Sequence, residues 1–250
     1  MKIKKYILSW LLMFVSVAAF AGVGQWRTHF AYNSVQVIAN CPEEIYALAN
    51  GAIFSINKMT ENMTLYNNRS GLHGTNVCFL MYDEEREQLL IMYSDGKMDI
   101  QYNGTMHYIS DLYNKRMTSS KKCNNITIHG KFAYLSMDFG ILVFDLEKHE
   151  FKETYYIGEE ASEVQVTDVM FCGDSIYART KSKNYSACIY DNVVDYHFWS
   201  TCPVLPCPFD TKKGKEYTMP DGDLWKVAGA QGVYRKFVTG EEAYYLPDGP

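Results

Sequence analysis

The sequence lacks every short motif that announces catalysis. It has no GxSxG elbow, no phosphate-binding GxxxxGK[ST] loop and no GxGxxG placed after a strand, so spacing assigns no nucleophile, phosphate cradle or dinucleotide site. Six histidines (His29, His73, His107, His129, His149 and His197) form no HxxxH or HExxH pair, and each reads as a strand or loop residue, not a metal ligand. No cofactor, metal site or enzymatic activity is therefore assigned. Positive charge is also short: 24 Lys and Arg face 29 Asp and Glu. That balance argues against nucleic acid as a ligand, because neutralisation of phosphates by Lys and Arg dominates such binding.

Long hydrophobic runs are absent after the first twenty residues. At the start, Lys2, Lys4 and Lys5 precede an apolar run over residues 7–17, and Ala19-Phe20-Ala21 has the small-x-small form that a signal peptidase accepts. The run is too short to span a bilayer, so residues 1–21 read as a signal peptide of an exported, not membrane-spanning, protein. Gly22 follows in place of cysteine, and no lipid anchor is indicated. A disulfide framework is missing too, since the seven cysteines are scattered and odd in number. Cys202 and Cys207 stand close enough to bridge, but the spacing leaves that pairing open, and no second Cys or His pair completes a zinc signature.

What the chain does contain is strand vocabulary punctuated by tight turns. Asn50-Gly51, Asp95-Gly96 and Phe139-Gly140 stand 45 and 44 residues apart, each between β-rich segments: 45–49 and 53–56, 89–93 and 98–102, 132–137 and 141–144. Asn-Gly and Asp-Gly are strong hairpin signals, expected as turns with positive φ at both central residues. A fourth unit lies at 174–178, with Tyr177 43 residues after Tyr134, and a fifth at 223–225 and 233–237, with Trp225 48 residues after Tyr177. A strand precedes each of the first four hairpins (35–39, 77–82, 125–129, 166–171), and another follows several of them (64–66, 106–109, 154–157).

Four short strands per forty-odd residues is the signature of a propeller blade. The expected fold is all-β: a β-propeller of four-stranded antiparallel blades over residues 22–250, about five blades, with helix almost confined to the signal. A β-sandwich is the rival architecture, but it does not require the long period. The final Pro247-Asp248-Gly249-Pro250 turn, with no closing strand, favours an incomplete ring or the front part of a longer protein. Packing between blades accounts for the many aromatic residues without a ligand.

The segments VGQWRTHFAYNSVQVIA (23–39) and IYALANGAIFSIN (45–57) resemble the N-terminal propeller of PorZ-type proteins of the Bacteroidota, components of type IX secretion. So do SGLHGTNVCFLMYD (70–83), LLIMYSDGKMDI (89–100), AYLSMDFGILVFDL (133–146), TYYIG (154–158) and VTDVMFCGDSIYA (166–178). The likeness covers roughly residues 24–178, is weak over 179–223 and returns around 224–237. Its most specific part is Gln25-Trp26-Arg27-Thr28-His29-Phe30. The same blade pattern is similar to the propeller repeats of periplasmic two-component regulators, although Leu90-Ile91-Met92-Tyr93 stands where those sensors carry a Trp-Ile-Gly-Thr type strand.

The resemblance implies a non-enzymatic adaptor of the secretion and surface-attachment machinery, acting through protein contacts in the periplasm or at the cell surface. Its implied partners are a sortase-like protease and outer-membrane components of type IX secretion, with anionic lipopolysaccharide bound through regions that this chain does not include. A ligand-sensing propeller of a hybrid two-component regulator is the alternative. Lys115, Arg116, Lys121 and Lys122 form a basic loop between the second and third blades of an otherwise acidic chain. They are candidates for contact with a partner or an anionic glycan, against the plain reading of a solvated inter-blade loop. Trp26 and Arg27 are further interface candidates, against burial of the tryptophan on the first blade.

Overall fold

The computed structural model describes residues 32–247. The expected signal peptide, Trp26 and Arg27 lie outside these residues. Twenty strands form five sheets of four, and within each sheet the strands follow the chain as an antiparallel meander. The first sheet holds β1 (Val35–Asn40), β2 (Glu44–Ala49), β3 (Ala52–Asn57) and β4 (Met63–Tyr66). The second holds β5 (Val77–Asp83), β6 (Gln88–Tyr93), β7 (Met98–Tyr102) and β8 (Thr105–Ile109). The third holds β9 (Cys123–His129), β10 (Phe132–Met137), β11 (Gly140–Asp145) and β12 (Glu150–Tyr155). The fourth holds β13 (Val166–Cys172), β14 (Ser175–Thr180), β15 (Asn184–Cys188) and β16 (Ser200–Thr201). The fifth holds β17 (Glu216–Thr218), β18 (Leu224–Val227), β19 (Val233–Lys236) and β20 (Glu242–Tyr245). Among the described residues one α-helical turn, α1 (Asp111–Asn114), lies between the second and third sheets, and four three-residue 3-10 turns lie in other loops.

Burial explains the sequence pattern of the middle strands. β6 and β11 are buried at every position. Such strands are covered on both faces by neighbouring sheets, so they carry apolar runs instead of alternation. β4, at the rim, is exposed along most of its length. The outer strand β12 begins at Glu150, four residues before the expected 154, because its polar first half, Glu150 to Glu153, hides a strand with only one well-buried residue.

The hairpin turns differ in kind. Asn50 and Gly51 both have positive φ (47° and 81°), the type I′ geometry expected of Asn-Gly. A Cβ on Gly51 would also sit 2.7 Å from Asn76 Oδ1, so glycine is required there for space as well. Asp95-Gly96 does not follow that rule. It sits in a four-residue loop where only Gly96 has positive φ (91°), and Asp95 Oδ1 accepts the Lys97 N–H at 3.1 Å.

Packing between sheets sets their spatial order. β1 and β2 pack on β5, β5 on β9, β9 and β10 on β13, and β1 on β18, which gives the order fifth, first, second, third, fourth. Each junction is also stitched by hydrogen bonds. Val77 N–H donates to Gly51 O at 2.9 Å and Gln88 Nε2 to Leu146 O at 3.0 Å. Thr127 Oγ1 donates to Val169 O at 2.6 Å, and Arg235 Nη1 to Lys58 O at 3.1 Å. The core divides accordingly: Phe54, Trp225 and Tyr245 between the first and fifth sheets, a central cluster spanning the first three, and Tyr155, Val169 and Trp199 between the third and fourth. Among the described residues, none of these extensive strand contacts joins the fourth sheet to the fifth. The strands form an arc of propeller blades, and the gap is crossed by the connection 202–215.

Candidate functional site: a basic face with a central cup

In a meander, turns alternate between the two ends of the sheets. The β2–β3, β6–β7, β10–β11, β14–β15 and β18–β19 turns and all the connections between sheets share one end. That end is basic. Lys115, Arg116, Lys121 and Lys122 lie on the β8–β9 connection, Lys181 and Lys183 on the β14–β15 turn, and Lys212, Lys213 and Lys215 on the β16–β17 connection. With Arg69 and Lys97 they outnumber Asp95, Asp111, Asp138, Glu159, Glu160, Glu163 and Asp210. The opposite end is acidic: Glu84, Glu85, Glu87, Asp191, Asp195, Asp221 and Asp223 are among its loop residues, against only Lys58, Arg86, Lys131 and Lys148. The chain's negative charge is therefore segregated.

At the basic end, the innermost strands of four sheets share a device that the sequence did not reveal. The pairing of β1 with β2 skips Gln36, that of β5 with β6 skips Cys78, that of β9 with β10 skips Asn124, and that of β13 with β14 skips Thr167. Each is a one-residue bulge, which bends the strand and re-aims the extra side chain. Gln36, Cys78 and Asn124 all line one cavity of about 690 Å³, together with Val37, Asn50, Gly51, Asn76, Val77, Phe79, Ser94, Lys122, Cys123 and Lys215.

The floor of this cup is the 202–215 connection. Gly214 lies against Val37 and Phe79, and its carbonyl accepts the Ile38 N–H at 2.7 Å. Lys213 Nζ donates to Thr127 Oγ1 at 2.6 Å on β9 and stands 3.7 Å from Asp168 Oδ1 on β13. Cys207 is disulfide-bonded to Cys172 at the end of β13, and the buried Phe209 ring lies 4.6 Å beneath the Arg179 guanidinium. The connection thus touches the inner strands of the first four sheets and straps across their axis. Its disulfide also settles the open cysteine question: Cys207 pairs with Cys172 and not with Cys202, whose Sγ donates to Val204 O at 3.0 Å.

The electrostatics of the floor are those of a buried ion cluster. Burial raises the Asp168 carboxyl above its ordinary range, against the pull of Lys213 and Arg179. Burial likewise lowers the Lys213 ammonium, against Asp168 and Asp210. The cup's two thiols are protonated at neutral pH, since burial pushes Cys78 up to about 11 and raises Cys123 well above the ordinary thiol range. Protonated thiols are poor nucleophiles. Asp138, beside Lys122, spends its carboxylate on Asn124 Nδ2 at 2.9 Å and Gln165 Nε2 at 2.5 Å. Burial would raise its pKa, but hydrogen bonds from Ser120, Asn124 and Gln165 and the Lys122 charge outweigh that and hold it low.

The predicted basic residues are placed unequally. Lys122 lines the cup. Lys121 Nζ donates to Tyr113 O at 2.7 Å, while Lys97 sits 4.6 Å over the Tyr113 ring. Lys115 and Arg116 follow α1, are exposed, and make no side-chain hydrogen bond or ion pair among the described residues. Lys215, Gln36 and Asn124 are the cup residues that sequence reasoning missed. Of these only Gln36 had an advance signal, the recurrence of a short strand start in Val35-Gln36-Val37, Val77-Cys78-Phe79 and Val166-Thr167-Asp168. Among the described residues no group of three or more His, Cys, Asp or Glu is arranged to hold a metal ion. No helix of the described residues is long and apolar enough to cross a membrane.

Residues 45–200 match the family described as TSS9, PorZ, N-terminal beta-propeller domain. No curated protein matches the chain. Among solved structures, PorZ of the type IX secretion system of Porphyromonas gingivalis superimposes with a TM-score of 0.63 at 25% identity, over 88% of this chain and 29% of PorZ. The extracellular domain of the hybrid two-component system BT4673 from B. thetaiotaomicron superimposes with a TM-score of 0.55 at 12% identity, over 85% of this chain and 28% of that one. The chain thus spans less than a third of the length of either.

Proposed function

The chain belongs to the family of PorZ N-terminal β-propeller domains, and from that premise we propose that it is a non-enzymatic adaptor of type IX secretion and cell-surface attachment. The observation that carries this reading is the family match over 45–200, joined by the fold shared with PorZ, an essential bacterial surface component of that system. The protein is exported through a signal cleaved after Ala21 and acts in the periplasm or at the cell surface. Its partners are the sortase-like protease and outer-membrane components of the pathway. A rigid stack of blades presenting loops at one end suits such a role, because the frame fixes the loops that make contact. Lys115, Arg116, Lys121 and Lys122 supply contacts from the basic end, with Trp26 and Arg27 as further interface residues. The sensor alternative shares only the fold, since the likeness to BT4673 lies at 12% identity.

Deletion of the gene tests the reading. It should leave type IX cargo unattached, in the medium or the periplasm, and affinity capture of the exported protein should recover the sortase-like protease. Cargo that stays anchored after deletion, with an altered transcriptional response to a glycan in its place, would establish the sensor and remove the adaptor.

A further inference from the structure

We propose that the cup at the centre of the basic end is a docking site for an acidic segment of a protein partner, an extended stretch of chain carrying Asp or Glu side chains. The inference rests on the adaptor reading and assigns the chemistry of its contact. Lys122 and Lys215 line the same cavity, are both exposed, and have no ion-pair partner among the described residues. Among the described residues no Asp or Glu lines the cavity with them. The carboxylate beside Lys122, that of Asp138, is already engaged by Asn124 and Gln165, so two ammonium groups without an ion pair among the described residues remain over the cup and attract negative charge, and a low-dielectric concave wall strengthens the attraction.

The remaining lining distinguishes a peptide from a sugar. Asn76 is exposed with no side-chain hydrogen bond among the described residues, and Asn124 spends its Nδ2 on Asp138 and Val166 while its Oδ1 accepts no hydrogen bond there. Side-chain amides both donate and accept, which matches the alternating N–H and C=O of an extended backbone. A saccharide calls instead for an exposed aromatic ring against the apolar face of the pyranose. Among the described residues the only ring lining the cup is Phe79, 7% exposed and lying against the strap. By contrast, the cavity of about 370 Å³ at the acidic end is lined by Tyr46 and Tyr82. The volume of about 690 Å³ exceeds what a lone ion fills and falls in the range of sites that take a ligand of several groups.

The test uses the purified exported protein and a fluorescein-labelled Gly-Asp-Glu-Asp-Glu-Gly peptide, read by anisotropy. Binding should weaken as salt rises, and a neutral peptide of Gly, Asn and Gln should not compete. The double variant Lys122→Glu/Lys215→Glu should lose at least about tenfold in affinity, whereas the same change of charge in Lys181→Glu/Lys183→Glu, at the same end but outside the cup, should cost several-fold less. Unchanged circular dichroism secures the fold of both variants. Equal losses in the two variants, no binding of the acidic peptide, or preferential binding of trigalacturonate would each overturn the proposal. Failure here is separable from failure of the adaptor reading: a cup variant that attaches cargo normally, in a strain whose full deletion does not, removes the cup and leaves the adaptor.

Discussion

Asp99, on β7, has no exposed surface. Its carboxylate takes the Tyr93 hydroxyl at 2.5 Å and both the backbone N–H and the ring Nδ1–H of His73 at 2.9 Å. It thereby fixes the connection between the first two sheets to the middle of the second. Burial and the Asp99 carboxylate push the Tyr93 hydroxyl pKa above its ordinary range, so the phenol remains a donor at any working pH. Hydrogen bonds to a charged partner contribute about 1.5–3 kcal/mol each when the partner is removed from a buried site. Asp99→Ala, which removes all three bonds, should therefore lower unfolding free energy by about 4–5 kcal/mol in urea, the sum at the low end of that range, and Tyr93→Phe, which spares the two His73 bonds, by about 1.5 kcal/mol. A loss below about 1 kcal/mol for Asp99→Ala would show the network to be ornamental. The sequence placed Asp95 in a turn and Asp99 in a strand, but not that Asp99 is fully buried while Asp95 pairs with Lys97 at the surface. Lys122 was legible as charge, but its meeting with Lys215 across 93 positions was not. Local pattern reports the residue and not its distant neighbour.

At the level of elements, the strands were legible because each repeat writes the same apolar run, turn and apolar run. The inner-strand starts, the first three hairpins and the rim strands β4 and β8 fall within a few residues of their expected places. The strap was not legible. Residues 202–215 contain Pro203, Pro206 and Pro208, which remove backbone donors and bar a strand, and the sequence showed only a pair of nearby cysteines. Its partner Cys172 lies 35 residues away on β13. The bulges escaped for a related reason: an extra residue appears only when two strands are set in register, and period-two reading assumes none. Closing a 35-residue loop stabilises a fold by roughly 2–4 kcal/mol in the chain-entropy account. Cys207→Ser should lose about that much, and limited proteolysis should then cut within 202–215 before any blade is opened. Reductant should lower the melting temperature of the parent protein but not of Cys207→Ser. If reductant leaves the parent unchanged, the strap is held by Phe209, Lys213 and Gly214 alone.

The molecule as a whole is an arc of five sheets whose two ends carry opposite charge. Alternating turns make this possible, because a meander sends each successive loop to the other end, and selection of loop residues can then charge the ends independently. The acidic balance of the chain concealed the asymmetry; only the pairing of strands divides the loops between ends. Charge complementarity of this kind steers encounter and fixes orientation more than it adds affinity, which is what an adaptor requires of a face. The most direct test of the account is to place a photo-crosslinking amino acid at Ser94, on the rim of the cup, and in a second strain at Glu85, on the acidic end, and to irradiate intact cells. Crosslinks from position 94 to a component of the type IX machinery, and none of comparable yield from position 85, are the predicted result. Crosslinks from position 85 alone, or from neither position in cells whose cargo attachment depends on this protein, would contradict it.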